Sequence, residues 1–197
     1  QLLNSSLIAR SLELSTTAIN HYLDILEGAL MIIRLPPFFI NIKKRLVKRP
    51  KIYIRDTGLL HRLAGLRKES ELENWLHRGS SFEGLVVEEL CSLARIQLTS
   101  PKFFFYRTHA GAEVDLLIQD GKTVLPIEVK HGIEVTHHDT AGLQQCMEDL
   151  DIKKGWIVTR GDRVINLGKG IAAVPWEWIV AGRITPWDES INPYRKR

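Results

Sequence analysis

At 197 residues the chain can hold one large domain or two small ones with a real core, and 44% hydrophobic against 25% charged residues excludes a disordered class. A formal charge of +4 is compatible with nucleic acid but modest, so the distribution of charge matters more than its sum. No apolar run approaches the ~20 residues of a membrane span, and no signal peptide is visible. Two cysteines, Cys91 and Cys146, without metal-ligand spacing then read as buried thiols in a reducing, cytoplasmic compartment.

The text opens at Gln1, without an initiator Met and directly on a helical pattern, and reads as a piece of something longer. Residues 2–12 form the first expected helix, and Ser15 is the expected N-cap of a second that runs to about Gly28. Ile19, Tyr22, Leu23, Leu26 and Leu30 follow helical spacing toward a core, leaving Thr16, Thr17, Asn20, His21, Asp24 and Glu27 toward solvent. Two helices and a short turn make a helix-turn-helix. Apolar residues 30–33, Pro36-Pro37, an apolar run over 38–42 and residues 52–54 add a β-ribbon, so 1–66 is expected to be a winged helix-turn-helix domain. Base readout by the second helix is disfavoured, because Asp24 and Glu27 on its outer face repel phosphates. Lys43, Lys44, Arg45, Lys48, Arg49 and Lys51 form the strongest basic cluster and are the nucleic-acid candidates, binding backbone phosphates without sequence preference; a solvated loop is an equal reading. Asp56 or Thr57 is expected to cap a helix near Gly58 and to carry no chemistry.

A second domain is expected over 67–185, entered through the charged stretch 67–78. Its first helix should start at Ser80 or Ser81 and reach about Ile96. Glu83 shares a face with Val86, Val87 and Leu90, an odd place for a lone carboxylate, although Ser80-x-x-Glu83 also spells a capping box. A strand over 102–107 leads to a hairpin whose strands, 114–118 and 124–129, flank the turn dipeptide Asp120-Gly121. Alternation puts Glu128 and Lys130 on one face, and pairing sets Asp115 opposite Pro126 or opposite Glu128, so Asp115, Glu128 and Lys130 converge either way. Glu113 shares the Asp115 face as an outer ligand or an edge charge. Two carboxylates and an ammonium among Leu116, Leu117, Ile118, Ile127 and Val129 must pair or bind a cation, and oxygen ligands of this kind suit Mg²⁺.

Beyond the hairpin, a helix over 139–150 and a buried strand over 155–159 imply a right-handed crossover and a parallel strand pair, with Gln144 and Gln145 facing either the site or, as the favoured reading, solvent. Gly121-Lys122-Thr123 mimics the end of a P-loop but sits in a hairpin, so no nucleotide site is expected. His131, His137 and His138 fit no zinc spacing. Residues 186–197 are expected to be a peripheral tail.

The acid of one strand followed by Glu128-x-Lys130 on the next, with Gly79-x-x-x-Glu83 opening a helix, resembles the PD-(D/E)XK nuclease superfamily. The run Lys51-x-Tyr53-Ile54-Arg55-Asp56-Thr57-Gly58-Leu59-Leu60 resembles the region that follows the ATPase domain in bacterial and archaeal AAA-type ATPases, a winged helix and then a PD-(D/E)XK-like domain. This resemblance covers nearly the whole chain. It implies an α/β (α+β) fold, a winged helix-turn-helix followed by a restriction-endonuclease-like core with a mixed sheet flanked by helices. It also implies Glu83, Asp115 and Glu128 as ligands of Mg²⁺ or Mn²⁺, and Asp115, Glu128 and Lys130 as the catalytic residues hydrolysing nucleic-acid phosphodiesters, DNA foremost. ATP is expected only in an upstream domain, which is an expected partner; a homo-oligomer is compatible and a membrane partner is not expected. The alternative expectation is a catalytically silent DNA-binding or protein-docking regulatory module of that ATPase.

Overall fold

A computed structural model describes residues 2–38 and 47–187. Asn4 caps helix α1 (Ser5–Ser11) by accepting from the Leu7 N–H at 3.1 Å, and Ser15 caps α2 (Thr16–Gly28) by accepting from the Ala18 N–H at 3.1 Å. Together with strand β1 (Ile32–Leu35) they close a small core of Leu3, Ala9, Ile19, Leu23 and Ile32. The buried stripe is narrower than the helical spacing predicts, since Tyr22, Leu26 and Leu30 are exposed. Asp24 and Glu27 are not bare either: both take the Arg34 guanidinium, Asp24 at 2.7 Å. β1 pairs antiparallel with β2 (Lys51–Ile54), and helix α3 (Thr57–Leu63) follows, capped by Asp56 through the Leu59 N–H at 2.9 Å.

The stretch expected to be a charged link holds a short helix, α4 (Glu69–Glu73). Helix α5 (Arg78–Gln97) then begins earlier than expected, with His77 at its N-cap and no side-chain capping bond. Glu83 therefore lies inside the helix and not in a capping box; its carboxylate is used elsewhere. One face of α5 buries Val86, Val87, Leu90, Cys91 and Ala94 against the sheet.

That sheet has six strands in the order β3-β4-β5-β6-β8-β7. β3 (Lys102–Arg107), β4 (Glu113–Asp120) and β5 (Thr123–Val129) pair antiparallel in succession, while β6 (Gly155–Thr159) lies parallel to β5 after a 3-10 turn, His137–Thr140, and helix α6 (Ala141–Asp149). The expected turn is corrected by one position. Asp120 pairs with Thr123, so Gly121 and Lys122 make the turn and Gly121 supplies the positive φ of 58°. The sheet carries apolar side chains on both faces: Leu116, Ile118 and Ile127 join the α5 side, whereas Val114, Leu117 and Ile157 join Leu143, Cys146 and Met147 of α6. Burial on both faces explains why these strands read as continuous apolar runs.

Sequence reading passed over β7 (Ile165–Gly168), β8 (Ile171–Pro175) and the short helix α7 (Trp176–Val180). Beyond α7, Ile184 is buried and the half-buried Trp187 donates its indole N–H to Gln97 at 2.8 Å, so the chain is still packed where a peripheral tail was expected to begin. Ile33, Leu35 and Tyr53 of the β1–β2 ribbon belong to the same apolar cluster as α5 and the sheet. The ribbon is thus built into the main core. Among the described residues no helix is long and apolar enough to cross a membrane.

Candidate functional site

Leu116 pairs with Ile127, and carrying that register outward sets Asp115 level with Glu128. Of the two expected registers, the structure has this one. The Val129 N–H donates to Asp115 Oδ2 at 2.9 Å, and Lys130 Nζ donates to Glu128 Oε1 at 2.9 Å. Glu83 reaches the same place from α5, and with Glu113, His138 and Asp139 these side chains line an open cleft of about 440 Å³. The expected constellation of Glu83, Asp115, Glu128 and Lys130 is brought together.

At its centre lies a residue expected elsewhere. Lys51, read from the sequence as one of six phosphate contacts, is only 2% exposed. Its Nζ stands 2.6 Å from Asp115 Oδ1, 2.7 Å from Glu113 Oε1 and 3.0 Å from Glu83 Oε1. The physical reason is strand alternation: Lys51 and Tyr53 share the inward face of β2, and Tyr53 donates its hydroxyl to Glu83 Oε1 at 2.5 Å. Arg107 takes the second Glu113 oxygen at 2.7 Å. The assignment of Lys51 to phosphates is therefore corrected, since a buried ammonium clasped by three carboxylates cannot reach a phosphodiester. Lys48 and Arg49 are exposed beside it, and Lys43, Lys44 and Arg45 lie outside the described residues. Gln144 donates to the Thr140 hydroxyl and Gln145 to the Asp149 carboxylate, and His131 contacts Arg160. What the sequence reading missed was Lys51, Tyr53 and Arg107 as members of the site; the signal was a lysine and a tyrosine alternating with Ile52 and Ile54.

Charge decides what this centre can do. Burial alone would lower the Lys51 pKa, but the surrounding carboxylates, Asp115 foremost among them, overcome it and hold the ammonium charged well above its ordinary range. Burial pushes Asp115 up, Glu83 adding to it, while Lys51 and the Val129 N–H pull back. For Glu83 burial is outweighed by Lys51 and the Tyr53 hydroxyl, and its pKa is lowered. Glu128 is raised most, first by burial and then by the charge of Asp115, and its Oε2 is buried without a hydrogen-bond partner.

The divalent ion implied by the nuclease resemblance does not fit this arrangement. Both Asp115 oxygens are taken, by Lys51 and the Val129 N–H, and the oxygens of Glu83 and Glu113 turned to the centre are taken by the same ammonium. Among the described residues no group of three His, Cys, Asp or Glu side chains is placed to hold an ion. Lys51, Arg107 and Lys130 also already face the four carboxylates, so little uncompensated charge remains to attract one.

Residues 78–179 match the family described as a domain of unknown function, DUF4143. The chain belongs to this family. A second match, to a domain of unknown function described as DUF8612, covers residues 1–70. Uncharacterised proteins of Mycobacterium bovis and Mycobacterium tuberculosis are each similar to this chain, 36% identical over 180 residues, a stretch that is 91% of this chain and 40% of their own length. The chain thus spans well under half of these relatives. Within it the carboxylates Glu83, Glu113, Asp115 and Glu128 all belong to the DUF4143 region, whereas Lys51 and Tyr53 come from the other matched region.

Proposed function

We propose that this DUF4143 chain is the phosphodiester-directed, nuclease-like part of a longer AAA-type ATPase, a winged helix joined to a PD-(D/E)XK-type core, and that it is hydrolytically silent in the arrangement described. The observation that carries this reading is the convergence of Glu83 from α5, Asp115 from β4, and Glu128 and Lys130 from the end of β5 on one open cleft. The order of helix, three antiparallel strands, crossover helix and parallel strand supports it. In the cleft Lys130, about a third exposed, is the cation available to a phosphate, whereas Lys51 is not. Lys48 and Arg49, just before β2, supply further exposed positive charge.

The test is binding of labelled single- and double-stranded DNA by fluorescence anisotropy, alongside gel assays of cleavage with Mg²⁺ or Mn²⁺. Wild type should bind DNA, lose affinity on Lys130→Ala, and show no metal-dependent turnover. Binding that is absent, or indifferent to Lys130, would sink the phosphodiester reading. A docking module is the second reading, favoured by the exposed apolar residues Leu7, Leu12, Tyr22, Ile25, Leu30 and Met31 on and beside α1 and α2.

A further inference from the structure

The cation that the carboxylate centre demands is present, and it is part of the chain. Lys51 Nζ has carboxylate oxygens from three residues within 3.0 Å, supplied by α5 and by β4, and it enters from a strand that belongs to neither. An ammonium is a compact point charge with three donors; here it hydrogen-bonds to Glu83 and Asp115 and forms an ion pair with Glu113. Such an ion meets the charge requirement that a hard divalent ion would otherwise meet, and it takes the oxygens that ion would need. Glu128 Oε2 is the exception, a buried oxygen lining the same cleft that the lysine leaves without a partner. A centre shaped only for a lysine would have no use for this costly orphan.

We propose that Lys51 is a tethered counter-cation that holds the carboxylate centre closed to divalent ions, an autoinhibitory contact made by the β1–β2 ribbon on the DUF4143 core. The proposal rests on the nuclease-like reading of the cleft and concerns its regulation. The contact is short-ranged and buried, so displacing the β1–β2 ribbon from the carboxylates removes the cation, frees the oxygens facing Lys51 on Glu83, Glu113 and Asp115, and leaves the group short of positive charge. Whatever moves the ribbon then controls the cleft.

The test is Mn²⁺ binding, followed by electron paramagnetic resonance and calorimetry, in wild type, Lys51→Met and Lys51→Met/Asp115→Asn. Lys51→Met should bind Mn²⁺ at least roughly tenfold more tightly than wild type, the equivalent of about 1.4 kcal/mol, and the added Asp115→Asn should abolish the gain. Circular dichroism checks folding. If Lys51→Met alone does not fold, Lys51→Met/Glu113→Gln removes one carboxylate together with the ammonium and carries the same expectation. Equal Mn²⁺ binding by wild type and the lysine variants would overturn the lock while leaving the nuclease-like reading in place. Absence of Mn²⁺ binding from every folded variant would also overturn the lock; DNA binding that still depends on Lys130 would show that the nuclease-like reading had survived it.

Discussion

Replacing Glu128 with Gln tests the electrostatics of the centre without changing its shape. Glu128 is 9% exposed and one of its oxygens has no partner, so burial first, and Asp115 second, push its carboxyl up to about 8 despite the nearby Lys130. The folded value lies above the ordinary 4.5. Between the two, the folded protein holds a proton that the unfolded chain has released, so stability is greatest below the unfolded value and is lost as pH rises toward the folded one. One whole proton changes stability by about 1.4 kcal/mol per pH unit. Coupling to Asp115 and Lys130 spreads the titration, so a loss on the order of 2–4 kcal/mol is expected between about pH 5 and pH 8. Glu128→Gln cannot ionise and should lack that part of the slope. Urea denaturation of both proteins at several pH values across this window measures it. Parallel stability profiles would show that Glu128 does not titrate abnormally and would refute the reasoning.

Gly142 lies where α6 meets β4, and a Cβ there would stand 2.5 Å from the Glu113 carbonyl oxygen; Gly142→Ala should therefore cost about 1–3 kcal/mol, read as a lowered Tm. Leu116 is fully buried on the α5 side of the sheet, and Leu116→Ala should cost about 2–5 kcal/mol in chemical denaturation. Loss of the Ser15 cap in Ser15→Ala should cost about 1 kcal/mol. Burial pushes the Cys91 thiol up to about 12 and the Cys146 thiol higher still, so Ellman's reagent should leave both untouched until the protein is unfolded; rapid labelling of native protein would contradict this.

The sheet and the candidate site were legible to different depths. The β4–β5 hairpin and the parallel β6 followed from continuous apolar runs and a turn glycine, because local pattern specifies them. Glu83 was found as a carboxylate on an apolar helix face, and the hairpin acids by alternation. Lys51 was misplaced because it stands at the end of a basic run, Lys43 to Lys51, that draws every lysine in it toward the same reading. Its inward direction depends on pairing with β1 and on packing against a sheet much later in the chain, which no local window contains. Strands β7 and β8 were missed for a similar reason. Ile171 to Pro175 is short and rich in small residues, and becomes a strand by pairing with β6 and β7. Tyr22 and Leu26 were drawn inward by periodicity, although only Ile19 and Leu23 of that helix are buried.

The two matched regions share one apolar core and one set of opposed charges, and this bears on how they are inherited. An exchange between relatives that replaced residues 1–70 alone would bring in a foreign ribbon. Without a lysine at the position of Lys51, Glu83, Glu113 and Asp115 would be left in close quarters with no common partner. Substitution of that lysine is thus expected to persist in a lineage only with a neutral residue at one of the acids or with a metal ion taken up in its place. The two regions, separable as stretches of text, are bound to diverge as a pair.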